Sequence, residues 1–249
     1  MINDEPIISS VIDDFTPITT QVLSINHFVQ GKIPGFLSIE IEDEIQGMLK
    51  SKFKKALHFK DTLAGEIRHE YAILESADSI EMFMQNAARQ FWLSAGRTDL
   101  ALLEHRYLVS KNPTIFNLKN VWVNFQKKHE YNPIHNHSGD LSFVIWHKIP
   151  YSREDEDKNL SHGGTNGGGP GVFSFIFYDH INYHYRFNKN TITNNNNTGI
   201  MKYPIRLDTS YEGHFALFPS YLQHEVEPFF TSNDYRISIA GNLEIVYPE

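Results

Sequence analysis

The sequence predicts an α+β fold that is mainly β, with supporting helices in its first hundred residues. Apolar residues keep a helical spacing of three or four early in the chain. After about residue 105, β-branched and aromatic runs between turn signals replace that spacing. The 18 Phe and 12 Tyr also suit sheets. We expect one domain, 1–249, in which a mostly helical support region, 1–105, packs against a β-rich core, 106–249.

Two helices are predicted in the support region. The first covers Ser38 to Lys55, where apolar residues recur on one face. The second follows Asp78 and Glu81, which form a capping-box pattern at its start. The predicted buried faces are Ile41, Ile45, Met48, Leu49 and Phe53 in the first helix, and Ile80, Phe83, Met84, Ala87, Ala88 and Phe91 in the second.

Five strands and two loops are predicted in the core. Glu154–Gly171 is acidic and then glycine-rich, and Asn188–Gly199 contains four consecutive Asn, so both segments are expected to be loops. The glycine run is not a phosphate loop, because no Gly-Lys-Ser/Thr follows it. The predicted strands are Val121–Phe125, Leu141–Ile149, Gly171–Tyr178, Gly213–Phe218 and Tyr235–Val246.

Composition and charge exclude several classes of protein. The net charge of −8 argues against a broad electrostatic nucleic-acid binder, although it leaves a local basic groove open. The absence of cysteine excludes disulfides, thiolate zinc sites and a cysteine nucleophile. No signal-peptide pattern is present, and no apolar run of about 18 residues that could span a membrane. We therefore expect a cytoplasmic protein whose metal ligands, if any, are histidines and carboxylates.

Three histidines are candidate metal ligands. In an extended segment, residues i and i+2 point the same way, so His135 and His137 can face one cavity. Such a pair alone is common on surfaces. His224 strengthens the case, because it follows an apolar run from Phe215 to Pro219 and a turn, where a strand end can present a ligand. Three imidazoles suit a divalent first-row metal.

An arginine on the last predicted strand is a candidate anion ligand. Arg236 and Ser238 share a face with Ala240, Asn242 and Glu244, whereas the opposite face is apolar. An arginine inside a barrel needs an anionic partner, and its planar guanidinium can bind a carboxylate through two hydrogen bonds. The alternative is an exposed arginine on an edge strand beside a structural serine.

These residues resemble the motif of the Fe(II)/2-oxoglutarate-dependent oxygenase superfamily, whose fold is a double-stranded β-helix, or jelly roll. The superfamily pattern is His-x-Asp/Glu, a distal His and a later Arg. The chain is also similar to a largely uncharacterised phage and bacterial group across roughly residues 60–249. The matching elements are Asn124, His135-Asn136-His137, Leu141-Ser142-Phe143-Val144, Phe218-Pro219-Ser220 with His224, and Arg236-Ile237-Ser238 with Asn242.

The resemblance implies a set of site residues. His135, His137 and His224 would hold Fe(II), and Arg236 with Ser238 would bind the far carboxylate of 2-oxoglutarate, assisted by Asn124. The third metal ligand is open, because His137 occupies the place of the usual carboxylate. Asp140 could supply a carboxylate if the turn before it folds back. We prefer His137, since the i+2 spacing needs no special turn.

The implied activity is a dioxygenase reaction that consumes O2 and 2-oxoglutarate, releases succinate and CO2, and usually hydroxylates a substrate. One alternative is a non-catalytic jelly roll, such as a phage structural or binding module with a vestigial metal site. Another is a three-histidine cupin enzyme without a 2-oxo acid, against which Arg236 and Ser238 argue. The substrate is open between a small metabolite, a protein side chain and a nucleic acid.

Overall fold

The computed structural model describes residues 19–23, 26–59, 65–94, 115–159, 169–178 and 200–246. Within these segments, three α-helices and one short 3-10 helix accompany two sheets that pair antiparallel throughout. The prediction of a mainly β fold is therefore confirmed. Among the helices of these segments, none is both long and apolar enough to cross a membrane.

The three helices are α1, Gly35–Lys50, α2, Ala77–Ser94, and α3, Arg153–Lys158. α1 begins and ends earlier than the sequence predicts. Its early end follows from Lys52 and Phe53, which adopt positive φ angles of 52° and 62° shortly after the helix. The predicted loop Glu154–Gly171 begins inside α3, because its residues up to Lys158 are helical. The loop Asn188–Gly199 lies outside the described residues.

The capping box predicted for α2 is wrong. The helix begins at Ala77, so Asp78 lies inside its first turn rather than at its N-cap. The Glu81 carboxylate accepts a hydrogen bond from the backbone N–H of Leu118, at 2.9 Å, instead of capping its own helix. The predicted apolar face is correct, since Ile80, Phe83, Met84, Ala87, Ala88 and Phe91 are all buried.

Eleven strands are described. The strand predictions coincide with five of them, whereas two four-residue strands that carry candidate histidines were not predicted. The strands are β1, Thr19–Leu23, β2, Asn26–Lys32, β3, His69–Ala72, β4, Phe116–Gln126, β5, Asn132–His135, β6, Leu141–Lys148, β7, Val172–Tyr178, β8, Ile200–Arg206, β9, His214–Pro219, β10, Gln223–Val226, and β11, Arg236–Ile245.

The strands form two sheets that pack into a jelly-roll-like fold. The large sheet has the order β1-β2-β9-β6-β11-β4-β3, and the small sheet has the order β5-β10-β7-β8. From β4 onward the chain alternates between the sheets, except that β7 and β8 follow each other in the small sheet. The region before residue 105 thus contributes strands as well as helices. Its separation from 106–249 as a support region stays a prediction.

Two apolar cores hold the layers together. One lies between the helices and one face of the large sheet, and includes Ile41 and Ile45 of α1, Phe83 of α2 and Ile237 and Ile239 of β11. The other lies between the two sheets, where side chains from both meet. The second core is formed by Phe28, Val144, Trp146, Ile149, Tyr151, Phe173, Phe175, Ile205, Leu207, Ala216, Phe218, Leu222 and Phe229.

Candidate metal centre

Three short elements place the candidate histidines side by side. His135 ends β5, His137 lies in the following turn, and His224 is the second residue of β10. β5 and β10 pair antiparallel with His135 directly opposite His224. The turn after His137 contains Gly139 with φ of 105°, where a side chain would be strained and its Cβ would lie 3.0 Å from the carbonyl oxygen of Leu243.

The structure brings the three imidazole rings to one point. Each ring offers a nitrogen, and these three atoms lie within 4.8 Å of one another. The Nε2 atoms of His137 and His224 are 3.1 Å apart. The ring centroids of His135 and His224 are 4.3 Å apart. This spacing allows three nitrogens to share a single ion at the usual bond lengths of about 2.0–2.1 Å.

Backbone carbonyls orient two of the rings. The Nδ1 atom of His135 lies 2.7 Å from the carbonyl oxygen of Pro133. The Nδ1 atom of His224 lies 3.0 Å from the carbonyl oxygen of Leu222. A carbonyl can only accept, so Nδ1 carries the hydrogen in each ring and Nε2 keeps its lone pair. Metal-binding histidines are commonly oriented in this way.

Burial keeps all three histidines neutral. Desolvation lowers the pKa of His137 to about 4, helped by the neighbouring His135. Burial also lowers the pKa of His135, and the pKa of His224 lies well below its ordinary value. Only a neutral imidazole can donate a lone pair to a metal. The cluster is therefore available for metal binding at neutral pH without first losing protons.

His137, which is not among the two rings oriented by carbonyls, is supported by an aromatic stack. His137 lies against Trp122 of β4, with ring centroids 5.6 Å apart. Phe59 also stacks on this tryptophan, with ring centroids 5.2 Å apart. The Trp122 indole donates to Oδ1 of Asn124, at 3.1 Å. Trp122 is buried and thus also holds a candidate ligand.

Asp140 points away from the histidines. Its carboxylate accepts a hydrogen bond from the backbone N–H of Ile245, at 2.7 Å. Its own N–H donates to the carbonyl of Leu243. Both partners belong to β11, so the side chain fastens the turn to that strand. Among the described residues, the ligand cluster consists of His135, His137 and His224 without a carboxylate.

Arg236 is buried, with only 2% of its surface exposed. All five of its N–H groups are hydrogen-bonded. Nε and Nη2 donate to Oε1 of Gln126, Nη1 donates to the Tyr151 hydroxyl and the Gly171 carbonyl, and Nη2 also donates to the Glu227 carbonyl. These partners are uncharged. The alternative of an exposed edge arginine is therefore wrong. Because every N–H group already has a partner within the protein, the buried positive charge, rather than the two hydrogen bonds expected from the sequence, favours an anion in the adjoining cavity.

Asn124 and Ser238 lie beside this arginine. They face each other in the β4–β11 pair, and Asn124 Nδ2 lies 3.4 Å from Ser238 Oγ. The predicted binding residues Arg236, Ser238 and Asn124 are thus on neighbouring strands of one wall.

A cavity of about 320 Å³ joins the histidines to this wall. Apolar side chains of β6 and β9, namely Phe143, Trp146 and Phe218, also line it. The three histidines, Arg236, Ser238 and Asn124 all line it. A small polar molecule in this cavity could contact the metal site and the arginine at once.

Sequence reasoning missed three residues of the cavity region. Gln126 could have been found, since it lies two residues after Asn124 on β4 and so faces the same way. Glu70 is buried, lines the cavity and lies opposite Asn124 on β3. Tyr151 follows β6 in a connection, and no periodic pattern indicates its contact with Arg236.

Comparison with known proteins supports the resemblance. Residues 120–242 match the family described as "Putative 2OG-Fe(II) oxygenase". No curated protein matches the chain. A crystal structure of a Pseudomonas putida prolyl-4-hydroxylase is similar, with 14% identity and a TM-score of 0.45 over 88% of this chain and 92% of that chain. The family match spans every candidate ligand named above, and it supports the resemblance of residues 120–242 to the Fe(II)/2-oxoglutarate-dependent oxygenase superfamily.

Proposed function

We propose that this protein is an Fe(II)- and 2-oxoglutarate-dependent dioxygenase that hydroxylates a substrate and releases succinate and CO2. The observation that carries the proposal is the shared cavity, in which three neutral histidines and a buried arginine meet. The family match supports the same reaction class.

The histidines fit Fe(II) in number, charge and orientation. Imidazole nitrogen is a suitable ligand for iron, and three protein ligands would leave positions for a co-substrate and O2. When bound, Fe(II) supplies the centre at which O2 and the 2-oxo acid react. Because His135, His137 and His224 bring no negative charge, the metal keeps both of its positive charges. That charge favours a dianionic co-substrate more than a site with a carboxylate ligand does.

The polar wall fits the other end of 2-oxoglutarate. Arg236 supplies a buried positive charge, and Ser238 and Asn124 supply neutral hydrogen-bonding groups beside it. The apolar side chains that also line the cavity limit access of water, which strengthens these interactions. The protein's own part in the reaction is therefore to orient the 2-oxo acid between the histidines and Arg236.

The strand order supports a double-stranded β-helix. β4, β11, β6 and β9 are successive neighbours in the large sheet, and β5, β10, β7 and β8 form the small one. From β4 onward, consecutive strands other than β7 and β8 thus cross from one sheet to the other around a common interior. A candidate ligand cluster at one end of that interior is consistent with the proposed activity.

Two other functions compete. A three-histidine cupin enzyme needs no carboxylate-binding arginine, so the burial of Arg236 beside the cavity favours the 2-oxo acid. A non-catalytic jelly roll needs neither the oriented histidines nor their neutral state. The substrate stays open between small metabolites, protein side chains and nucleic acids.

Succinate formation tests the proposal. The protein should be incubated with Fe(II), O2 and 2-oxoglutarate, alone and with peptides, oligonucleotides and metabolite pools. We expect succinate above the background of the His224→Ala variant. Succinate at background in every reaction, in protein that binds both Fe(II) and 2-oxoglutarate, would favour the non-catalytic jelly roll.

A further inference from the structure

A buried chain of polar side chains lies beneath the two turns that carry the candidate ligands. Ser142, Ser220 and Asn242 are each at most 3% exposed. They belong to the sequence motifs around β6, β9 and β11, yet none has a part in the proposed reaction. Buried polar groups are costly unless they are hydrogen-bonded, so their arrangement requires a physical explanation.

One hydroxyl links the three residues. Ser142 Oγ lies 2.7 Å from Asn242 Oδ1 and 3.0 Å from Ser220 Oγ. The amide oxygen can only accept, so the Ser142 hydrogen goes to it and the Ser220 hydroxyl donates to Ser142. Asn242 Nδ2 in turn donates to Asn120 Oδ1, at 2.8 Å. This chain of hydrogen bonds therefore runs from Ser220, directly after β9, through β6 and β11 to β4.

Ser220 also joins the two ligand-bearing turns through its backbone. Its carbonyl accepts from the N–H of His137, and its N–H donates to the carbonyl of Asp140, both at 3.0 Å. The same residue begins the turn that leads to His224. The backbone of Ser220 thus binds the turn that carries His137, and its hydroxyl binds Ser142 in the sheet.

We propose that Ser220, fixed by Ser142 and Asn242, is a positioning residue that sets the separation between His137 and His224. The proposal rests on the metal centre of the proposed function. Ligand distances in metal sites are held within about 0.2 Å, so a small displacement of one turn is felt by the metal. A fully hydrogen-bonded buried chain has the rigidity that this tolerance requires.

The test compares two buried serines. Ser142→Ala removes the linking hydroxyl. Ser76→Ala is the matched control, because Ser76 is also 1% exposed and hydrogen-bonded, to Glu44 Oε2 at 2.7 Å, but lies outside the cavity. Co(II) affinity by titration calorimetry and the unfolding temperature of the metal-free protein are measured for both. We expect Ser142→Ala to weaken Co(II) binding by about tenfold, and Ser76→Ala to change it less than twofold.

A double-mutant cycle separates positioning from general stability. Once the Ser142 hydroxyl is absent, removal of the Ser220 hydroxyl should cost little further affinity. We therefore expect Ser142→Ala/Ser220→Ala to bind Co(II) about as weakly as Ser142→Ala alone. Equal losses of unfolding temperature in Ser142→Ala and Ser76→Ala with unchanged Co(II) affinity would overturn the inference. Absence of Co(II) binding in the wild type would instead contradict the metal centre itself.

Discussion

The three candidate ligands differ in how firmly each is held. His224 is 3% exposed and oriented by the Leu222 carbonyl, whereas His137 is half-buried and supported by a stacked tryptophan. The i+2 spacing of His135 and His137 was enough to predict that they meet. The orientation of His135 and His224 by backbone carbonyls was not predictable, because it depends on backbone positions that only the folded turns define.

Removal of the most buried ligand should abolish metal binding. His224→Ala leaves two imidazoles, and we expect Co(II) affinity to fall by at least about a hundredfold in titration calorimetry. His147→Ala is the control, since His147 contacts Glu42 of α1 and does not line the cavity. A His224→Ala variant that binds Co(II) like the wild type would place the metal elsewhere.

His137 and Asp140 can be distinguished by paired variants. The Asp140 carboxylate is engaged by the Ile245 N–H, so Asp140→Asn should leave metal affinity within about twofold. His137→Asn should weaken it by at least about tenfold, because one of three ligands is lost. The opposite ranking in Co(II) titrations would make Asp140 the third ligand.

Arg236 should matter for the 2-oxo acid and not for the metal. Arg236→Ala should weaken 2-oxoglutarate binding to the Co(II) protein by about 2–5 kcal/mol, as for truncating one partner of a buried charge pair. It should also lower stability, since Gln126 and Tyr151 lose their donor. Arg206→Ala removes an exposed arginine that pairs with Asp157 and is the control. Unchanged 2-oxoglutarate affinity in Arg236→Ala, measured calorimetrically, would exclude Arg236 as its ligand.

Among the elements, periodicity predicted five of the eleven described strands and missed the others, including both short strands that carry candidate histidines. β5 and β10 have four residues each, too few for a period-two pattern to stand out from neighbouring turns. The start of α2 was predicted wrongly because Glu81 bonds to Leu118 across the fold. Such a contact joins distant parts of the chain and leaves no local signal.

A buried carboxylate connects the two long helices. Glu44 of α1 accepts hydrogen bonds from the backbone N–H groups of Leu74, Glu75 and Ser76, directly before α2. Glu44→Gln turns one acceptor into a donor facing these groups, and we expect a loss of about 1–3 kcal/mol in urea unfolding. Glu40→Gln changes an exposed residue of the same helix and should cost less than about 0.5 kcal/mol. Equal effects would show that the Glu44 bonds add nothing to stability.

For the molecule as a whole, the sheet order could not be predicted from local patterns. β2 pairs with β9, where Val29 lies opposite Leu217, and β4 pairs with β11, where Asn124 lies opposite Ser238. These partners are more than a hundred residues apart in the sequence. The resemblance to the oxygenase superfamily, rather than periodicity, predicted that the distant histidines and Arg236 meet in one cavity.

The histidine cluster should make the metal-free protein sensitive to acid. The folded protein keeps His137 neutral down to about pH 4, whereas an unfolded histidine takes up a proton near its ordinary pKa of 6.5. Between these values the unfolded state binds more protons, so stability falls as pH falls. Each such histidine contributes at most about 1.4 kcal/mol per pH unit. Urea unfolding with a chelator at pH 7.5, 6.5 and 5.5 measures this slope, and equal stability at all three would contradict the neutral cluster.

Fe(II) and 2-oxoglutarate should occupy the cavity together, and an anaerobic visible spectrum tests this most directly. Addition of 2-oxoglutarate to the Fe(II) protein should produce a weak charge-transfer band, since the 2-oxo acid then binds the metal itself. The His224→Ala variant should show no band. A wild-type protein that binds Fe(II) yet gives no band with saturating 2-oxoglutarate would contradict the proposed dioxygenase.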